Sequence, residues 1–101
     1  MTSEARPGAS LTLVDNTDRD RYELWDGETF LGLLAYSRDG DVDTLLHTVV
    51  EEEFGHQGVA RLLVSMVMIR MRLDGRHIKP VCSYVVRYLG RFPQYRDLVV
   101  R

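Results

Sequence analysis

Seven residues, Gly55-His56-Gln57-Gly58-Val59-Ala60-Arg61, carry the densest chemical signal in this sequence. Two glycines three apart where a helix opens let backbone N–H groups approach an anion with no Cβ in the way. First-turn N–H groups have no partner inside the helix, and the helix dipole adds partial positive charge there. Arg61 adds a full charge. On spacing alone the segment reads either as a phosphate cradle or as a plain glycine-containing strand-to-helix turn. It has neither the Lys-Ser/Thr of a P-loop nor the full G-x-G-x-x-G of a dinucleotide fold. The second signal is Cys82, followed by Ser83, a residue type suited to capping a helix. A thiol at a helix N-terminus is biased towards the thiolate, and Arg87 adds to that field. A cysteine in a strand-helix corner is equally a small buried hydrophobe. The three histidines and the single cysteine show no metal-ligand spacing, so no metal is expected. No Ser-His-Asp arrangement is legible, and Glu51-Glu52-Glu53 reads as a solvated turn.

The elements that must position these groups follow from pattern. Leu11–Val14, Arg21–Trp25, Thr29–Tyr36 and Val42–Val50 read as strands, separated by the turn signals Asp15–Asp18, Asp26-Gly27 and Asp39-Gly40. Thr29–Tyr36 is apolar on both faces, which predicts a strand covered on both sides. Residues 57–73 then turn helical. Arg61, Ser65, Met68 and Arg72 form one stripe expected to face water, with Val59, Leu62, Leu63, Met66, Val67, Ile69 and Leu73 on the buried side. Gly75 suits a left-handed C-cap. His77–Val81 reads as a strand, with His77 at its edge. Ser83–Leu89 reads as a second helix stopped by Gly90 and Pro93, and Tyr95–Val100 as an apolar ending packed on the core. The order β-β-β-β-α-β-α predicts an α+β fold. Its sheet is mostly antiparallel, and it closes on a right-handed βαβ crossover with one parallel pair.

At 101 residues there is room for one domain, expected over residues 11–101 behind a loose tail at 1–10. Composition is ordinary, with 45% hydrophobic and 28% charged residues, which excludes collagen-like and disordered classes. No apolar run reaches the roughly 20 residues needed to span a bilayer. Met1–Ser10 lacks the basic-then-apolar order of a secretory signal, and one cysteine cannot close an internal disulfide, so a cytoplasmic setting is expected. The net charge of −2 hides a split. Residues 1–54 hold four arginines against thirteen acids, and residues 55–101 hold nine bases against two acids. The basic half either faces an anion or attracts the acidic half. Its bases are scattered rather than massed, which argues against a nucleic-acid module.

The same segments resemble a known family. Gly55-x-x-Gly58-x-Ala60 is similar to the acyl-CoA-binding motif, Arg/Gln-x-x-Gly-x-Gly/Ala, of the GNAT superfamily of N-acetyltransferases. His47-Thr48-Val49-Val50 looks like the strand that hydrogen-bonds the pantetheine arm. Pro80-Val81-Cys82-Ser83-Tyr84, Tyr88 and the stretch from Arg91 to Val99 resemble a small stand-alone subfamily about one minimal domain long. Two departures stand out. Gly55 replaces the usual Arg or Gln, and His56 occupies a position that is usually Gly, where it either narrows the turn or donates to a phosphate.

The resemblance implies acetyl-CoA as co-substrate and a primary amine as acceptor, either a small molecule or a protein lysine. The coenzyme would be bound by Thr48, Val49, Val50, Gly55, His56, Gln57, Gly58, Val59, Ala60, Arg61 and Tyr88. It places Cys82 near the acyl thioester, either transiently acylated or beside it during direct transfer. Amine acetylation also needs a base and an acid. His47 is the candidate base if it turns into the cleft, although its apolar neighbours Leu45 and Val49 equally suit a core histidine. Tyr84 or Tyr88 can protonate the leaving thiolate or simply pack. No membrane partner is expected, and the chain is expected as a monomer or homodimer. The minimal subfamily lacks the extra helices with which larger relatives build an acceptor pocket. A non-catalytic coenzyme-binding or protein-interaction module on the same fold therefore stands as the alternative.

Overall fold

The computed structural model of the chain describes residues 10–55 and 58–100. The expected tail (save Ser10), two residues of the glycine turn, His56 and Gln57, and Arg101 lie outside them. The elements are β1 (Leu11–Asn16), β2 (Arg21–Asp26), β3 (Thr29–Asp39), β4 (Val42–Val50), α1 (Val59–Asp74), β5 (His77–Pro80) and α2 (Ser83–Arg91). Short 3-10 helices at Glu52–Phe54 and Pro93–Leu98 follow β4 and α2. The five strands lie in the order β1-β2-β3-β4-β5, antiparallel through β4, with β4 and β5 parallel. The α+β fold and the element order are those the sequence pattern predicts. Gly27 and Gly40 turn the β2-β3 and β3-β4 hairpins with φ of +60° and +61°, where a side chain would be strained.

Several boundaries differ. The first helix begins at Val59, not Gln57, because Gly58 adopts the left-handed conformation at its N-cap. The second helix passes through Gly90 and ends at Arg91, with Phe92 as its C-cap, since proline disfavours helical backbone in the residue before it and Pro93 follows. The helix N-cap is Cys82 rather than Ser83. The third strand runs on to Asp39.

Two β-bulges change which side chains face inward. Leu24 pairs with Gly32 and Trp25 with Phe30, so Leu31 is an extra residue in β3. Tyr36 pairs with Leu45 and Ala35 with His47, so Leu46 is an extra residue in β4. Leu31, Leu34 and Tyr36 are thereby buried in one core cluster with residues of α1 and α2. Among the described residues no helix covers the opposite face: across it run Val14, Glu23, Leu33 and Val49, of which Val14 and Val49 are exposed and Glu23 is buried. An antiparallel sheet tolerates such an open side. On α1 the buried face is Leu63, Val64, Val67, Met68 and Met71, while Leu62, Ile69 and Leu73 are exposed. Met68, expected to face water, is fully buried.

The end of the sheet where β4 begins is fastened by charge. Fully buried Asp43 accepts hydrogen bonds from Arg38 (2.7 and 2.8 Å) and Arg76 (2.8 Å), and Arg38 also bonds Asp15 at 2.9 Å. The C-terminal segment packs beside β5, where the Val100 N–H donates to the Ile78 carbonyl at 2.9 Å.

Candidate functional site

The parallel ladder between β4 and β5 runs from Val42–His77 to Leu45–Pro80 and stops. The Leu45 carbonyl accepts the N–H groups of both Val81 (3.0 Å) and Cys82 (2.9 Å), which turns the chain away from β4 and into α2. β4 itself continues to Val50, still paired with β3 on its other side. From Leu46 to Val50 the edge towards β5 therefore has no strand partner among the described residues. Such an edge offers its N–H and C=O groups to an extended ligand. Gly32 holds the opposite edge in place: a Cβ there would come within 2.7 Å of the Val49 carbonyl oxygen, so only glycine allows β3 to lie this close.

Alternation sorts the side chains of this open stretch. Thr48 pairs with Leu34, which faces the core, and its hydroxyl lies 3.5 Å from the Cys82 sulfur. His47 pairs with Ala35 and points to the open face, where it is exposed. Of the two readings of His47, the core histidine fails because the bulge at Leu46 reverses the alternation between Leu45 and His47. Cys82 is buried in the corner where the two strands part. Burial opposes its ionisation, yet the Thr48 hydroxyl and the backbone N–H groups of Val85, Tyr84 and Thr48 outweigh it and lower the thiol pKa. Its side chain makes no capping hydrogen bond, so the first-turn amides of α2 act on it as oriented dipoles. Arg87, expected to add to that field, stands over the Tyr84 ring with 5.8 Å to its centroid.

At the start of α1 the N-cap is Gly58, which has no side chain to cap the helix, and among the described residues a Cβ on it would meet nothing within 4 Å. First-turn N–H groups of a helix have no partner within it, which is the property an anion cradle requires. Beside this turn lies a cavity of about 430 Å³ lined by Arg61 from α1 and by Tyr84, Arg87, Tyr88, Arg91 and Phe92 from α2 and its end. Tyr88 is buried against Phe92, with ring centroids 4.6 Å apart, and its hydroxyl pairs with Ser65 at 2.7 Å. Burial raises its pKa despite the Ser65 contact, and its ring forms part of the cavity wall.

The sequence model of the family described as GCN5-related N-acetyl-transferase matches residues 21–98. The chain belongs to that family. Its fold is similar to the solution NMR structure of a GCN5-like protein from Staphylococcus aureus, with a TM-score of 0.66 and 24% identity, covering 91% of this chain and 90% of that one. No curated protein matches the chain.

Within this GCN5-related N-acetyltransferase fold, two groups of the expected residues come together. Thr48 and Cys82 touch across the strand parting, and Arg61, Tyr84 and Tyr88 share one cavity. Val49 and Val50 lie on the open edge, and Gly55, Gly58, Val59 and Ala60 flank or form the helix start. His47 and Cys82 stand on opposite faces of β4. The expectations for His56 and Gln57 lie outside the described residues. Sequence reasoning missed Arg91 and Phe92, although the spacing 84, 87, 88, 91 places four residues on one side of a helix. Among the described residues no cluster of three potential metal ligands occurs, and no helix is long and apolar enough to cross a membrane.

Proposed function

We propose that the chain is an acyl-CoA-dependent N-acetyltransferase that moves an acetyl group from acetyl-CoA to a primary amine. The parting of β4 from β5 after Leu45 and Pro80 carries this reading, because it opens a strand edge that ends at a thiol with lowered pKa. The groups present suit the coenzyme. The uncapped start of α1 offers N–H groups to a diphosphate, and the edge from Thr48 to Val50 offers backbone partners to an amide-bearing arm. The coenzyme supplies an acyl thioester activated towards amines.

The chain's own residues then divide the work. Thr48 to Val50 hold the arm extended. Cys82 lies beside the thioester, with its thiolate favoured by Thr48 and the α2 amides. Tyr84, at the first turn of α2, donates a proton to the leaving thiolate. His47, on the open face, accepts the proton that the ammonium must lose before attack. Donor and acceptor thus meet through the edge of β4 from opposite faces.

A thermal shift with coenzyme A tests the binding reading. At 100 times its dissociation constant a ligand stabilises by about 2.7 kcal/mol, a rise of several degrees for a domain this size. No shift at millimolar coenzyme A overturns it. Acetyl transfer to a panel of primary amines tests turnover, and binding without transfer would leave the non-catalytic module. Intact mass after incubation with acetyl-CoA, compared with Cys82→Ala, decides between acylation of the thiol and direct transfer.

A further inference from the structure

Lys79 is the only lysine in the chain: of its 13 strongly basic residues, the other 12 are arginines. A guanidinium stays protonated in proteins, whereas an ammonium can give up a proton and become a nucleophile. Among the side chains, Lys79 alone can therefore accept an acyl group as an amide. It lies on β5, where fully buried Ile78 faces the core, so exposed Lys79 stands on the face away from the helices. It pairs with Thr44, one rung before the β4-β5 ladder stops at Leu45 and Pro80. His47 stands on the same face. Thr44 pairs with Ser37 and His47 with Ala35, so the bulge at Leu46 leaves them only two β3 residues apart. That is about 7 Å along the strand, with about 4.8 Å across from β4 to β5. A four-carbon stem reaching towards an imidazole spans such a gap. Lys79 forms no ion pair among the described residues that would hold its ammonium elsewhere. A charge near the end of a sheet also discourages stray pairing. Any cation does that, and this chain uses arginine for every other one.

We propose that Lys79 is an acetyl acceptor within the chain's own site, so that the protein acetylates itself at this residue. This rests on the reading of the parted strands as an acyl-CoA site. His47 takes a proton from the Lys79 ammonium and passes it to solvent. The freed amine attacks the thioester carbonyl carbon, forming the C–N bond and breaking the C–S bond. Tyr84 gives its proton to the departing thiolate and regains one from water. The products are acetyl-lysine, free coenzyme A and one proton. The modified residue is neutral and occupies the acceptor's side of the parting.

Incubation of the full chain with acetyl-CoA, followed by intact mass and peptide mapping, tests the proposal. The expected result is one acetyl group on the peptide carrying Lys79, stable to hydroxylamine, which cleaves a thioester on Cys82 but not an amide. It should form about a hundredfold or more faster than in the chain unfolded in urea, the gain a positioned base provides. Its rate per molecule should not change with protein concentration, and excess coenzyme A should suppress it. Lys79→Arg keeps the charge and removes the nucleophile, so it should bind coenzyme A as the parent does and lose the stable mass gain. Acetylation no faster than in the unfolded chain, a rate per molecule that rises with protein concentration, or a stable mass gain that persists in Lys79→Arg overturns the proposal. In each case a thermal shift with coenzyme A leaves the acyl-CoA reading standing. Absence of both the shift and the acetyl group overturns both.

Discussion

Cys82 is held between opposing influences. Burial in the strand-helix corner works against a thiolate, and the Thr48 hydroxyl at 3.5 Å works for it together with nearby amides. The net lowering predicts that alkylation of Cys82 by iodoacetamide reaches half its limiting rate below the pH expected of a free thiol, about 8.5. Thr48→Val removes the hydroxyl and keeps the shape, so its profile should move to higher pH. Thr48→Ser should restore the original profile. An unmoved profile in the valine variant would leave the amides as the sole cause. Gly58 is the second decisive residue. Its φ of +71° costs a side chain about 1–2 kcal/mol, and the space beyond it is the space an anion would occupy. Gly58→Ala should therefore weaken coenzyme A binding by more than its loss of melting temperature accounts for, which parallel calorimetry and thermal melts would show.

At the scale of elements, the order of strands and helices was legible because turns carry local signatures: Asp26-Gly27, Asp39-Gly40 and Gly75 each mark a reversal with a positive φ at the glycine. Which way the faces turn was less legible. The two bulges at Leu31 and Leu46 leave no mark in the alternation, and each inverts the faces downstream, which is how His47 came to be exposed. The helix α1 is apolar around most of its circumference, so the arginines dominated the phase and turned its wet side towards Met68. The true seam repeats through Leu63, Val67 and Met71 with Val64 and Met68 beside it. The candidate site was half legible. Glycines and cysteine could be read as chemistry, but the open edge of β4 exists only because β5 is too short to cover it. Two substitutions check the helix phase. Met68→Ala should cost about 2–5 kcal/mol in urea unfolding as a cavity in the core. Leu73→Ala, at a position 77% exposed, should change stability by no more than about 0.5 kcal/mol. Comparable losses at both positions would refute the observed seam. Gly32→Ala should cost about 1–3 kcal/mol by forcing β3 away from the Val49 carbonyl.

Across the whole molecule, charge does different work at the two ends of β4. At its start, Asp43 is fully buried and joins the β3-β4 hairpin to the turn after α1 through Arg38 and Arg76. Five residues on, about 17 Å along an extended strand, Thr48 stands at the proposed site. At one end the arginines are engaged in ion pairs, and at the other Arg61, Arg87 and Arg91 line a cavity and form no ion pair among the described residues. The structural end predicts how the chain responds to acid. Burial pushes the Asp43 carboxyl up, but the hydrogen bonds of Arg38 and Arg76, and their charges, hold it below its ordinary value. Glu23 behaves alike: burial is overcome by Arg21, Asn16 and Trp25, and its pKa is lowered. A carboxylate whose folded pKa is depressed contributes stability that is fully present above its unfolded pKa, about 4, and is lost as pH falls through the folded value. The urea midpoint should therefore change little from pH 7 to 5 on account of these groups and fall steeply below pH 4. Asp43→Asn leaves two guanidiniums facing a neutral amide and should cost about 3–5 kcal/mol at pH 7. Because the variant has already lost the titrating group, its midpoint should fall less steeply in acid than the parent's. Parallel acid profiles would show that the dependence arises from other carboxylates and that Asp43 is not the group fastening this end of the sheet.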